Sequence, residues 1–190
     1  EQQTGVKIVV ENIPGAEYNN GILAFLKEPA DGHTVIMLPG VIANQVFDKV
    51  DYDLKQFQWV ARVISSAQVG IASKASGVTS LEQLVQKGDV KAGVTGFSSS
   101  HTIGMLLSAK EFGFNPQPIS HSGSTEAILS VVRGDADWAT ATEVTLIPYI
   151  KSGEVVPLYV ASEERLPSLP DVPTLVELGF SHVLEIVAFD

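Results

Sequence analysis

Short runs of β-branched and other apolar residues alternate along the chain with segments of helical periodicity and with turn residues. Because strands linked through helices form βαβ units, this alternation predicts an α/β fold with a largely parallel sheet. Most of the runs are apolar on both faces, as is typical of buried parallel strands. The predicted strands are Val6–Glu11, Thr34–Leu38, Trp59–Ile64, Val69–Ser73, Val90–Thr95, Ala136–Ala141 and Val155–Ala161.

Three segments combine the apolar spacing of a helix with residues that start or stop one. The predicted helices are Leu81–Gln86, about His101–Glu111 and Thr125–Arg133. Thr79 and Glu82 have the spacing of a capping box, which predicts the start of the first helix. Gly88 and Gly134 follow the first and third helices, where glycine commonly ends a helix.

Composition supports a packed core and removes several classes of protein. The chain has 190 residues, of which 45% are hydrophobic and 18% charged, and this combination excludes a disordered chain. A net charge of −10 argues against nucleic acid as a partner. The absence of cysteine excludes disulfide scaffolds, thiolate metal sites and cysteine nucleophiles. The most apolar stretch, Val35–Ala43, is interrupted by Pro39 and Gly40, so we expect no insertion into a membrane.

The segment Val90–Gly104 is the most informative about chemistry, because a strand leads through a Gly/Ser/Thr loop into a helix. A helix start offers unpaired backbone N–H groups and a partial positive charge, and hydroxyls add donors, so the segment suits a carboxylate or phosphate. Gly93 and Gly96 would let the backbone approach such an anion closely. An equally weighted alternative is that the serines at 98–100 only cap the helix.

Two further loops have the same character: Ile119–Ala127 is a second strand-to-helix loop, and Met37–Asn44 follows the predicted strand Thr34–Leu38. Ligands of open α/β sheets bind at the carboxyl ends of strands, so these loops can converge on one crevice. For Pro39 and Gly40 an ordinary turn is the favoured alternative.

Enzyme and metal motifs are missing from the sequence. The four histidines lack the spacing of metal ligands, no Gly-x-Ser-x-Gly elbow occurs, and neither Asp-x-Asp pair continues into a calcium-binding loop. We therefore expect no catalytic residues, no metal and no cofactor.

Six motifs, taken in chain order, resemble one family. They are Val9–Ala16, Ala30–Thr34, Val78–Leu84, Gly123–Ala127, Arg133–Asp137 and Ala161–Thr174. Together they are similar to the extracytoplasmic solute receptors of tripartite tricarboxylate transporters, the TctC or Bug-type family, from about Val6 to Gly179. The long last motif, which contains Glu-Glu-Arg-Leu-Pro-Ser-Leu-Pro-Asp-Val-Pro-Thr, is the most specific of them.

The resemblance implies a type II periplasmic-binding-protein fold, with two βαβ lobes around a ligand cleft joined by a hinge. Residues 1–67 plus 163–190 would form the first lobe, incomplete because family members extend beyond both ends, and residues 68–162 the second. Strands near Val69–Ser73 and Val155–Ala161 would be the crossovers. The ligand-binding residues implied are Pro39, Gly40, Val41, Thr95, Gly96, Phe97, Ser98, Ser99, His101, Gly123, Ser124, Thr142 and Glu143.

By the same resemblance, the protein would act outside the cytoplasmic membrane, its signal peptide being absent from this chain. It would capture a small di- or tricarboxylate and deliver it to the membrane permease subunits of its transporter. Two other classes remain open: the effector-sensing domain of a transcription regulator with the same two-lobed fold, and an α/β enzyme acting on a carboxylate.

Overall fold

The computed structural model describes residues 5–38, 50–61, 63, 66–97 and 99–187. The α-helices within these residues are α1 (Asn19–Phe25), α2 (Leu81–Lys87), α3 (Ser100–Phe112), α4 (Ser124–Arg133), α5 (Glu143–Lys151) and α6 (Val183–Val187). The strands are β1 (Gln68–Ser73), β2 (Asp89–Thr95), β3 (Asn115–His121), β4 (Trp138–Thr142) and β5 (Val155–Ala161). None of the helices in this described part is long and apolar enough to cross a membrane.

The five strands form one sheet in the order β3-β2-β4-β1-β5. β2 runs parallel to β3 and β4, whereas β1 runs antiparallel to β4 and β5. The α/β class is therefore confirmed, but the expectation of a largely parallel sheet is wrong, because the sheet is mixed. As a result, strands β2 to β5 all end at one edge of the sheet, and β1 begins there.

Apolar helices cover both faces of this sheet. On one face, Leu84 of α2, Phe112 of α3 and Val183 of α6 pack with Trp138 of β4 in a single cluster. On the other face, Ile128 of α4 and Leu146 of α5 pack against β1 and β4. Burial on both sides explains why β1, β4 and β5 lack the alternation of a half-exposed strand, whereas no residue of the edge strand β3 is fully buried.

Local signals set the helix ends, with one correction. Ser80 rather than Thr79 begins α2: its Oγ accepts a hydrogen bond of 3.3 Å from the backbone N–H of Gln83. The side chain of Gln83 accepts in turn from the N–H of Thr79, at 2.8 Å. The capping box was therefore assigned one residue too early, because threonine and serine in succession both fit the pattern.

Three predicted strands do not form. The described residues of Val6–Glu11, Thr34–Leu38 and Trp59–Ile64 carry no strand, and Ile64 itself lies outside the described residues. Most of their apolar side chains are exposed, with Val10 at 79% and Val60 at 86%, whereas Ile36 and Leu38 are half-buried. β-branched composition alone therefore does not produce a strand.

Strand β3 and helices α1, α5 and α6 were not predicted. Pro116 and Pro118 lie within β3, and proline argues against a central strand. Because β3 is an edge strand, one side of its backbone has no strand to bond, which is where proline is tolerated. Pro148 similarly obscures α5, which continues through it to Lys151.

Candidate functional site

Three helices begin at the edge where the strands end: α3 follows β2, α4 follows β3 and α5 follows β4. The same edge brings Thr95 opposite His121 across β2 and β3. It also brings Gln68, the first residue of β1, opposite both Thr142 and Ala161. Because the start of each helix carries a partial positive charge, this edge favours an anion.

The start of α3 shows what Ser99 does. Its Oγ accepts a hydrogen bond of 3.1 Å from the backbone N–H of Thr102 and donates to the Thr102 hydroxyl at 2.9 Å. The Thr102 hydroxyl lies 3.5 Å from the carbonyl oxygen of Thr95, so it ties the loop back to the end of β2. Ser99 therefore caps the helix, as one of the two sequence alternatives proposed, and one lone pair of its oxygen remains for a ligand.

Helices α4 and α5 begin differently. Neither Gly123 nor Thr142, the residues that precede them, caps the helix with its side chain. The Thr142 hydroxyl lies 2.9 Å from that of Thr145 instead, and Ser124 in the first turn of α4 is exposed. Without a side-chain cap, the first backbone N–H groups of α4 remain available to water or a ligand. At α5 the first of these groups, the N–H of Glu143, already donates to the carbonyl oxygen of Ala67.

Gly93, within β2, and Gly96, just after it, are glycine for different structural reasons. A Cβ on Gly93 would lie 3.0 Å from the Ser130 hydroxyl and 3.1 Å from the carbonyl oxygen of Ala127. Gly93 thus allows close packing of β2 on α4. Gly96 has a φ of 72°, in the left-handed region that favours glycine, so it turns the chain between β2 and α3.

Glu143 is the one acidic residue among the sequence candidates. It occupies the first turn of α5, where a carboxylate is stabilised by the helix dipole. Its Oε1 accepts a hydrogen bond from the hydroxyl of Ser168, and its backbone N–H donates to Ala67 at 2.9 Å. Glu143 therefore joins the loop after β5 to the start of α5, and its charge would repel a second carboxylate nearby.

Several polar residues lie between α3 and the sheet, and of these only His101 was a candidate from the sequence. His101 lies half-buried, with Nε2 at 3.1 Å from the carbonyl oxygen of Thr140 and 3.0 Å from its hydroxyl. His101, Thr140 and Gln68 line a small cavity of about 10 Å³, together with Tyr159. Burial raises the pKa of the Tyr159 hydroxyl, which keeps it neutral. A polar Thr140 within an apolar strand was the available sequence signal.

Three of the five buried polar side-chain atoms that have no hydrogen-bond partner within the described residues lie at this edge. They are Ser66 Oγ, Gln68 Oε1 and His121 Nε2, next to the start of β1 and at the end of β3; the other two, Ser73 Oγ and Trp138 Nε1, lie at the opposite edge. Leaving such an atom unpaired costs about 1–3 kcal/mol, so a site that a ligand or water fills is the expected place for it. His121 lies within the predicted loop Ile119–Ala127, but none of the three was named as a candidate, because the bounds of β3 were not predicted and the first predicted β1 residue was Val69.

The structure brings together the candidates of the second half of the chain. Those at the sheet edge or the adjoining helix starts are Thr95, Gly96, Phe97, Ser99, His101, Gly123, Ser124, Thr142 and Glu143. The candidates Pro39, Gly40, Val41 and Ser98 lie outside the described residues. Phe97 is 59% exposed beside the edge. The residues that the structure describes include no cluster of three or more His, Asp or Glu side chains arranged to hold a metal ion.

Comparison with known proteins identifies relatives over almost the whole chain. A family model described as "Tripartite tricarboxylate transporter family receptor" (TctC) matches residues 1–189. A UPF0065 protein of Bordetella pertussis is 23% identical over 186 residues, which cover 94% of this chain and 58% of that protein.

Solved structures show the same fold. A Rhodopseudomonas palustris protein solved with adipate has a TM-score of 0.85 and 24% identity, over 94% of this chain and 63% of its own. The R. palustris protein MatC, solved with bound malate, has a TM-score of 0.66 and 26% identity, over 75% of this chain and 50% of its own. The chain thus spans between one half and two thirds of the length of these relatives, and its fold is that of periplasmic binding proteins of the TctC type.

Proposed function

The chain belongs to the tripartite tricarboxylate transporter receptor (TctC) family, and we propose that it captures a small di- or tricarboxylate and delivers it to the permease of a tripartite transporter. The receptor would work outside the cytoplasmic membrane and would release its ligand chemically unchanged. The observation that carries this proposal is the convergence of three helix starts on one sheet edge.

The chemistry of that edge supports a carboxylate ligand. The N–H groups at the start of α4 are not capped by the side chain of the preceding residue. Thr95 lies opposite His121, which precedes α4, and Thr142 directly precedes α5, so two hydroxyls are placed near these helix starts. Such donors bind an anion without a salt bridge, because the helix dipoles supply the compensating charge. The malate and adipate in two structural neighbours are ligands of the same class.

We further propose that the chain forms two lobes, residues 1–67 with 163–190 and residues 68–162. Strands β1 and β5, the two implied crossovers, pair with each other at the centre and edge of the sheet. Gln68 and Ala161 are opposite each other in this pair, so both crossovers reach the candidate site at the same level. Ligand bound there would favour the closed arrangement of the lobes, which the permease would recognise.

A thermal-shift series tests the proposal. The whole protein is heated with succinate, malate, adipate or citrate, and with dimethyl succinate as a neutral control. Binding to the folded state raises Tm with ligand concentration, so at least one acid should raise it while the diester does not. Equal shifts with the diester, or conversion of an acid to a product detected by NMR, would contradict the proposed receptor function.

A further inference from the structure

We propose that Gln68, Thr140 and His101 form a subsite for a single hydroxyl-type oxygen, supplied by a hydroxyl group of the bound acid or by a water molecule. Where the oxygen comes from the bound acid, this inference rests on the proposed function. None of the family motifs in the sequence includes Gln68 or Thr140. The site lies on the α3 side of the sheet, at the edge where the helices begin.

The position of Gln68 places its amide beside the site. Gln68 is the first residue of β1 and lies opposite Thr142 in β4. Because alternate residues of a strand point to the same face, Thr140 and Thr142 share one face of β4, and Gln68 is next to them on that face. Its Oε1 is buried and has no hydrogen-bond partner among the described residues.

The contacts of His101 fix the role of the threonine hydroxyl. A carbonyl oxygen only accepts, so the 3.1 Å contact between His101 Nε2 and the Thr140 carbonyl is a hydrogen bond when Nε2 carries the proton. The Thr140 hydroxyl, 3.0 Å from the same nitrogen, then accepts from it and keeps its own proton to donate. The cavity wall therefore offers an acceptor from Gln68 and a donor from Thr140. The Ser108 hydroxyl, also in the wall, uses its proton to donate to the carbonyl oxygen of Gly104 at 2.7 Å.

An acceptor beside a donor is complementary to an oxygen that both donates and accepts. A hydroxyl group or a water molecule has this property, whereas an ionised carboxylate only accepts. The cavity volume of about 10 Å³ suits one such oxygen. Met105, Ser108, Tyr159 and Val187 complete the lining, and the small volume excludes a larger polar group.

A pair of acids and a pair of variants test the subsite. Malate and succinate differ by one hydroxyl, and Gln68→Met removes the acceptor at nearly constant side-chain size. Gln86→Met, on the exposed surface of α2, is the matched control. Affinities come from calorimetry on the whole protein. If the oxygen belongs to the ligand, wild type prefers malate by about tenfold or more, the factor that one hydrogen bond supplies, and Gln68→Met abolishes the preference.

If the oxygen belongs to water, Gln68→Met lowers the binding affinities for malate and for succinate by the same factor. Thr140→Val, which removes the donor, should reproduce the effect of Gln68→Met in either case. Identical affinities and Tm for Gln68→Met and Gln86→Met would overturn the subsite.

Failure of the proposed function gives a different result, since wild type would then bind neither acid. The ligand-free proteins still test the subsite in that case. Bound water predicts a lower Tm for Gln68→Met than for Gln86→Met, because a bridging hydrogen bond is lost. An equal or higher Tm would overturn it.

Discussion

The ring of Tyr159 lies directly against the backbone of Gly70, its partner across β1 and β5. A Cβ on Gly70 would be 2.3 Å from both Cε1 and Cζ of that ring. The ladder changes register next to this pair, between Gly70 and Ile71. The ring is 3% exposed, so the absence of a side chain at residue 70 creates the space that the aromatic ring fills.

We expect Gly70→Ala to destabilise the fold by about 1–3 kcal/mol, the usual cost of overpacking a core. In a domain of this size that lowers Tm by about 2–4 °C for each kcal/mol. Gly123→Ala is the control, because its φ is extended and nothing lies within 4 Å of a Cβ there. Equal Tm values for the two variants in thermal unfolding would contradict this account of Gly70.

The two tryptophans should report different environments. Trp138 is fully buried between β4 and the helices, whereas Trp59 is 64% exposed. We expect acrylamide to quench the fluorescence of Trp138→Phe, in which Trp59 remains, far more than that of Trp59→Phe. Blue-shifted and poorly quenched emission from Trp59 in Trp138→Phe would contradict this prediction, because it would show that Trp59 is buried.

The sequence predicted elements whose signals are local. The start of α3 could be identified from Ser99, and the strand before it from its mostly apolar residues between Val90 and Thr95. The antiparallel pairing of Gly70 with Tyr159 could not be predicted in this way. The two residues are far apart in the chain, and no sequence signal near either residue identifies its partner. Strand β3 was missed for the opposite reason: Pro116 and Pro118 are a local signal against a strand, and its place at the edge overrides it.

The candidate site shows the same difference between local sequence signals and long-range strand pairing. Thr95 and Ser99 belong to one loop between a strand and a helix, so a single stretch of sequence identifies them. Gln68 and Thr140 become neighbours of His101 only when β1 pairs with β4. Their role depends on the sheet order, which hydrophobic periodicity does not determine.

The most specific sequence motif forms a structural clasp. Thr174 and Glu177 bond reciprocally: the N–H of Thr174 donates to Glu177 Oε2 at 2.9 Å, and the N–H of Glu177 donates to Thr174 Oγ1 at 3.1 Å. Arg165 Nε adds a bond of 2.9 Å to Glu177 Oε1. The backbone of Leu175 also bonds to Val160 of β5, at 3.0 Å, so this clasp holds the segment against the sheet.

This clasp predicts a pH dependence. The hydrogen bond from Thr174, followed by Arg165, lowers the pKa of Glu177 below its usual 4.5. The carboxylate therefore contributes stability above pH 4.5, and that contribution is lost as the pH falls through the lowered pKa. We expect Glu177→Gln to reduce Tm near neutral pH and to converge on wild type in acid. Glu164→Gln, in the same exposed loop, is the control; a Tm difference that persists in acid would contradict the linkage.

Ser99 allows its capping role to be separated from ligand binding. Serine, aspartate and asparagine cap a helix almost equally well, so Ser99→Asp and Ser99→Asn should keep Tm close to wild type, whereas Ser99→Ala should cost about 0.5–2 kcal/mol. Aspartate adds a negative charge at the proposed anion site, and asparagine does not. We therefore expect calorimetry to show weaker carboxylate binding for Ser99→Asp than for Ser99→Asn.

Ser80 provides the matched control, because it caps α2 in the same way at a helix that does not begin at the sheet edge. Ser80→Asp should leave carboxylate affinity unchanged at the same net charge as Ser99→Asp. The comparison removes the effect of overall charge, since both variants add one unit. Equal affinities of Ser99→Asp and Ser80→Asp would place the bound carboxylate away from the start of α3, whereas a loss confined to Ser99→Asp would assign it there.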